Sequence, residues 1–230
     1  PYVDDAIKKQ LEKGISFSLA HSLEVEVAEM LCERIPCADR VRFGKNGIDV
    51  TTAAVRLARY VTENDHVLFC GYHGWQDWYI SKTSVNGGIP NEIANYSHRF
   101  PYNDLETLES SLQELEGKVA CIIMEPVSRI HPKEGYLEGV RELANRYGAL
   151  LIFDEVVTGF RTNRGGYQSV CGVTPDLACF SKALGNGMPI SVLVGKKDIM
   201  EKCPEIYFSL TFAGETLSLA AAKAVMEVVD

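Results

Sequence analysis

Three polar positions in the chain stand directly behind apolar runs. Glu125 follows Cys121-Ile122-Ile123-Met124, Asp154 follows Leu150-Leu151-Ile152-Phe153, and Ser181-Lys182 follow Leu177-Ala178-Cys179-Phe180. In open parallel sheets ligands bind beyond the carboxyl ends of the strands, so chemistry is expected at these positions. The Asp154 carboxylate would lie at the rim of a low-dielectric core, where it needs a cation or a hydrogen-bond donor. A salt bridge, a helix cap or a Walker B pair with Glu155 would meet the same need. Lys182 precedes Ala183-Leu184-Gly185-Asn186-Gly187-Met188-Pro189, small flexible residues rather than a solvated helix face. Partial desolvation there would make its amine a nucleophile toward a carbonyl, the requirement for a Schiff base; a surface lysine in a turn is the plain alternative.

Two further clusters complete the set. In Gly71-Tyr72-His73-Gly74-Trp75-Gln76-Asp77-Trp78, an aromatic beside glycine after a short apolar run is placed to stack on a flat ring, with core packing as the competing role. Asn46-Gly47-Ile48-Asp49 lead into a helix, and the free N–H groups of a helix start bind phosphate. There is no GxxxxGK[ST] and no GxGxxG after a strand, so nucleoside triphosphate and dinucleotide readings lose their main support. Phosphate without a nucleotide points to another cofactor. Neither the cysteines nor the five histidines come at ligand spacing, and no metal is expected.

These residues need a scaffold. Leu23, Val25, Val27, Ala28, Met30 and Leu31 alternate with four glutamates between Ser22 and Arg34, an acidic helix that Pro36 ends. Asp49 or Thr51 is expected to cap a second helix through Tyr60, before the β-type run His66 to Cys70. Then come a helix over Asp104 to Leu115, a buried strand over Lys118 to Met124, a helix over Gly135 to Tyr147 and a buried strand over Ala149 to Phe153. Strand, helix, strand at this spacing predicts a parallel sheet with crossover helices. Leu177 to Phe180, Ile190 to Val194 and Tyr207 to Phe212 are three more expected strands, and Glu215 to Val229 an Ala-rich closing helix. Gly74 to Pro101 is expected to lack regular structure, and a loop that long is more often functional than idle.

Composition narrows the function classes. With 31 acidic against 23 basic residues the formal charge is −8, and no Lys/Arg run is present, so no nucleic-acid partner is expected. The longest apolar stretches are far shorter than the roughly 20 residues of a membrane-spanning helix, so no membrane partner is expected either. Seven cysteines without a CxxC pair, most of them inside apolar runs, read as reduced thiols of a cytoplasmic protein.

Taken in chain order, a phosphate-type helix start, an aromatic after a strand, an Asp after a strand and a Lys after a later strand resemble the large domain of class III, fold-type I aminotransferases that use pyridoxal 5'-phosphate. The likeness runs from about Leu19 to the end. Its most specific segment is Leu151-Ile152-Phe153-Asp154-Glu155-Val156-Val157-Thr158-Gly159-Phe160-Arg161, followed by Lys182. Phe43 to Arg59, Gly71 to Trp75, Glu125-Pro126-Val127 and Gly172-Val173-Thr174-Pro175-Asp176 also match. Within the family the chain looks closest to glutamate-1-semialdehyde 2,1-aminomutase and related transaminases.

The resemblance implies an α/β fold of three layers, with a mostly parallel central sheet and helices on both faces. It divides the chain into an N-terminal helical segment, 1–37, and a cofactor-binding large domain, 38–230. Lys182 would hold the cofactor as a Schiff base and move a proton, and Asp154 would pair with the pyridine nitrogen. Tyr72 and Val156 would cover the two ring faces, and Asn46, Gly47 and Ile48 would contact the phosphate. Thr211 would reach the neighbouring site in a homodimer, and His73 and Glu155 would support the residues that touch the cofactor. Three positions depart from the usual pattern: Asn46-Gly47-Ile48 stands for Ser-Gly-Thr, Val157 for Gln, and Gly214-Glu215-Thr216 for Gly-Asn-Pro. Family members are roughly twice as long, more than one compact core usually supports, so a fragment or a processed chain lacking the N-terminal segment and the C-terminal small domain is expected.

The resulting expectation is amino-group transfer between a small-molecule donor and a keto or aldehyde acceptor. The alternatives are an intramolecular 2,1-amino shift and a catalytically silent chain with a structural role. A nucleotide-binding module is a remote third reading.

Overall fold

In the computed structural model, which describes residues 1–229, seven strands form one sheet in the order β1-β7-β6-β5-β4-β2-β3. The strands are β1 (Arg40–Gly44), β2 (His66–Cys70), β3 (Ser97–Arg99), β4 (Val119–Met124), β5 (Leu150–Asp154), β6 (Leu177–Phe180) and β7 (Ser191–Gly195). From β3 to β6 every pairing is parallel; β7 runs antiparallel to both β6 and β1. The four parallel strands β2, β4, β5 and β6 therefore end on one edge, where Cys70, Met124, Asp154 and Phe180 hand the chain to Tyr72, Glu125, Glu155 and Lys182.

The strand side chains alternate between two cores. Leu68, Ile122, Leu151, Phe153, Ala178 and Phe180 pack with α2 (Ser22–Arg34), α5 (Leu105–Glu114), α6 (Tyr136–Arg146) and α9 (Thr216–Val228). Phe69, Cys121, Ile123, Ile152, Leu177 and Cys179 pack with α3 (Gly47–Thr62) and α8 (Lys197–Met200). This period of two, with both faces covered, is why the central strands read as unbroken apolar runs. Each fully buried Leu, Ile or Phe contributes about 1.5–3 kcal/mol relative to exposure. α1 (Tyr2–Leu11) lies on α9 through Val3, Ala221, Ala224 and Val225.

Helix starts are set by side chains. His21 Nδ1 accepts from Leu23 N at 3.2 Å and Glu24 returns the bond to His21 N at 3.1 Å, a capping box for α2. α3 begins at Gly47 with Asn46 as its cap, two residues or more before the expected Asp49 or Thr51. Asp49 instead serves from inside, its Oδ2 accepting from Asn46 N at 2.7 Å and Lys45 N at 3.1 Å.

Two expectations need correction. Tyr207 to Phe212 is not a strand: Ala213 N bonds to Leu210 O and Glu215 N to Phe212 O, closing turns, and Tyr207 has φ +50°. Gly74 to Pro101 is less irregular than expected, holding the short helix α4 (Asp77–Ile80), a 3-10 turn (Asn91–Tyr96) and β3. The alternating strand β1, with its two arginines, and α1 were not among the predicted elements. A short helix α7 (Gln168–Cys171) completes the count. No described helix is long and apolar enough to cross a membrane.

Candidate active site

A cavity of about 160 Å³ opens at the carboxyl edge of the sheet, lined by Gly47, Ile48, Tyr72, His73, Asp154, Val156 and Lys182, with Thr51, Gly74, Glu125, Val157 and Ser181 between them. Seven of the expected site residues thus meet in one place. Two others stand apart. Asn46 caps α3 just outside the lining, and Thr211 is exposed in the turn before α9.

Asp154 is the last residue of β5 and 5% exposed. Its Oδ2 lies 2.8 Å from His73 Nδ1 and its Oδ1 accepts from Val156 N at 3.1 Å. His73 Nε2 lies 3.1 Å from the carbonyl of Cys70, which can only accept. The His73 ring thus bridges the Asp154 carboxyl and the Cys70 carbonyl. The ring is further packed by Trp78, stacked at 6.0 Å, and by Tyr79, edge-on at 5.5 Å. The structure therefore gives Asp154 the hydrogen-bond partners that its burial demands.

Lys182 follows β6 with φ +46°, a left-handed backbone that side chains other than glycine adopt at a cost. Ser181 anchors the preceding residue through Oγ to the carbonyl of Ile190 at 2.8 Å. The expected desolvation of Lys182 is not found: the residue lines the cavity but is exposed. Among the described residues no carboxylate forms a salt bridge with it.

The start of α3 borders the same cavity. A Cβ on Gly47 would come within 3.1 Å of Val156, and one on Gly74 within 2.1 Å of Ile48, so both glycines let the helix start and the Tyr72 turn close on the site. Thr51, one helical turn after Gly47, donates from Oγ1 to His73 O at 3.1 Å. Sequence reasoning passed over Thr51, although a small hydroxyl one turn into an otherwise apolar helix face was the signal available.

Glu155 has a different place. It is fully buried outside the cavity, where its carboxylate accepts from Thr158 Oγ1 at 2.8 Å, Gln168 N at 3.2 Å, Gln168 Nε2 at 3.1 Å and Tyr167 N. Burial pushes this carboxyl above the usual range, against those four donors. Gln168 in turn accepts from Cys37 N at 3.0 Å. Glu155 ties the loop after β5 to itself and to the end of the first helical segment.

A buried Asp, a Lys with left-handed backbone and a helix start thus surround one cleft of an α/β fold. The chain belongs to the class-III aminotransferase family, whose model matches residues 1–230. It is 40% identical over 236 residues to 3-aminobutyryl-CoA aminotransferase of Cloacimonas acidaminovorans (strain Evry), covering 99% of this chain and 56% of that protein. It is 38% identical over 246 residues to glutamate-1-semialdehyde 2,1-aminomutase of Syntrophomonas wolfei subsp. wolfei, covering 99% of this chain and 57% of that protein. Among solved structures, the pyridoxal-phosphate internal aldimine form of the FumI protein of Sphingopyxis sp. MTA144 superposes with a TM-score of 0.93 at 27% identity, over 99% of this chain and 56% of that one. The chain thus spans a little over half the length of the relatives it matches.

Proposed function

We propose that the chain carries the pyridoxal 5'-phosphate site of an aminotransferase that moves an amino group between a small-molecule donor and a keto or aldehyde acceptor. The observation that carries the reading is the meeting of Asp154, Lys182 and the start of α3 in one cavity. The donor set fits the group: a buried carboxyl acceptor, a primary amine, a helix N-terminus for a phosphate, and apolar or aromatic walls. Gly47 and Gly74 let Val156 and Ile48 pack closely beside that helix start.

When bound, the cofactor supplies a reactive aldehyde and a protonated ring that withdraws electrons. Asp154 would accept from the ring N–H, and His73 would hold the Asp154 carboxyl in place. Lys182 Nζ would hold the cofactor at its aldehyde and would serve as the amine that carries a proton. Tyr72 covers one ring face and Val156 the other. Asn46, Gly47 and the N–H of Ile48 hold the phosphate, without the hydroxyl that Ile48 lacks.

The same reading takes the assembly as a homodimer in which Thr211 reaches the neighbouring site. It takes 38–230 as the cofactor domain and 1–37 as the helical segment packed on it. Seven free cysteines support a reducing, cytoplasmic setting. A second reading, the intramolecular 2,1-amino shift, is supported by the aminomutase similarity and by the apolar Val157 in the cavity wall.

The test is to mix the chain with pyridoxal 5'-phosphate, record the visible spectrum, reduce with borohydride and map the modified peptide by mass. A phosphopyridoxyl group on Lys182, absent from Lys182→Ala, is expected. A folded chain that takes up no cofactor would favour the silent, structural role. An amino-donor screen with and without a keto acid then separates transfer from the internal shift.

A further inference from the structure

We propose that Glu125 is a positioning residue that fixes Tyr72 at the cavity by clamping the backbone of the Gly71–Gly74 turn. The proposal rests on the reading above only for what the Tyr72 ring faces.

The turn leaves β2 with both of its glycines at φ +109°. Side chains hold its backbone at four points. Tyr79 Oη donates to Gly71 O at 3.1 Å, Thr51 Oγ1 donates to His73 O at 3.1 Å, and His73 Nε2 donates to Cys70 O at 3.1 Å. The fourth is Tyr72 N, which donates to Glu125 Oε2 at 3.2 Å. It is the only one of these bonds in which a backbone N–H meets a carboxylate, the stronger, charge-assisted kind.

Glu125 reaches this place because β4 ends beside β2, with Glu125 N bonded to Cys70 O at 3.3 Å. Its carboxylate then seats on the bare face of Gly71, where a Cβ would come within 2.6 Å of Oε2. Any other residue at 71 would displace the clamp. Among the described residues Glu125 makes no other side-chain hydrogen bond, so its carboxylate is not committed elsewhere.

The Tyr72 ring itself is held weakly. The residue is 63% exposed, and its one ring contact is edge-on to Tyr79 at 5.7 Å. With so little packing on the ring, its direction is set by the turn beneath it. Burial pushes the Glu125 carboxyl above its ordinary 4.5; Asp154 adds to this, and Tyr72 N–H, His73 and Lys182 oppose it. These groups, all at the same cavity, are the ones whose charge Glu125 feels.

The experiment is a pH titration of the unliganded full chain by two-dimensional NMR, paired with pyridoxal 5'-phosphate binding. The Tyr72 amide resonance is expected to follow a carboxylate with a midpoint above 4.5 in the wild type and to lose that step in Glu125→Gln. Glu125→Ala, with dispersed spectra showing that it folds, is expected to bind the cofactor about tenfold more weakly. Glu125→Gln, which still offers an acceptor to Tyr72 N, is expected to recover most of that loss. A Tyr72 amide that ignores the carboxylate overturns the proposal, as does a Glu125→Ala chain with wild-type affinity. If the wild type binds no cofactor, the functional reading fails, and the amide titration still decides the clamp.

Discussion

His73 Nδ1 lies 2.8 Å from Asp154 Oδ2, with the two side chains 0% and 5% exposed. The pair forms part of the cavity lining, and each partner is the answer to the other's burial. Replacing His73 by Ala leaves a buried carboxylate with only the Val156 N–H and leaves the Cys70 carbonyl with only the Glu125 N–H. The expected cost is about 3–5 kcal/mol of stability, the usual penalty for breaking a buried pair from one side. Urea unfolding measures it. A loss below about 1 kcal/mol would mean that water or a shifted side chain replaces the imidazole.

Gly74→Ala tests how tightly the Tyr72 turn closes on α3. The residue has φ +109°, and the added Cβ would stand 2.1 Å from Ile48 Cγ2. Left-handed backbone and overpacking together predict a loss of about 2–4 kcal/mol. Ile48→Ala in the same chain removes the clash but not the backbone strain, so it should return part of the loss. A double-mutant cycle with no coupling between the two sites would show that the helix start and the turn do not press on each other.

The site was legible where chemistry follows directly from a strand end. Asp154 and Lys182 are marked by the apolar runs before them, and the sheet brings those ends to one edge whatever the loops do. The role of Glu155 was not legible, because its partners Tyr167 and Gln168 lie beyond a turn that only the folded backbone closes. Tyr207 to Phe212 misled for a related reason: aromatic and β-branched content suits a strand, but without a neighbouring ladder the segment closes turns and exposes Tyr207 and Phe212. β1 escaped notice because Arg40, Val41, Arg42 and Phe43 carry too little apolar character to stand out, and β7 supplies the register that holds them. The exposure of Lys182 could not be read from composition, since it depends on the folded backbone around it.

Glu155→Gln keeps the shape of the side chain and reverses half of its hydrogen bonding. All four groups around the carboxylate donate, so the new amide must point its own donors at one of them. A loss of about 2–4 kcal/mol is expected. The loop it holds carries the exposed Arg161 and Arg164, so trypsin should cut there faster in the variant. Unchanged proteolysis with unchanged stability would show that the carboxylate is not the anchor of the loop.

Asp176 gives a prediction with a pH sign. The residue is 4% exposed and accepts from Arg141 at 2.7 Å, from Leu151 N at 2.7 Å and from Lys196, joining α6, the start of β5 and the end of β7. Burial alone would raise its carboxyl, but the bonds from Lys196, Leu151 N and Arg141 outweigh it and hold the group below its ordinary 3.8. A carboxyl depressed in the folded state contributes stability that is present above 3.8 and lost as the pH falls through the lower folded value. Asp176→Asn should therefore cost about 3–5 kcal/mol near neutral pH, since it leaves Arg141 without its buried partner. The gap between variant and wild type should narrow as titration proceeds below 3.8, because the wild type then protonates the same group. Urea unfolding of both chains from neutral to acid pH measures the two curves, and curves that stay parallel throughout would show that the stability comes from packing around Asp176 rather than from its charge.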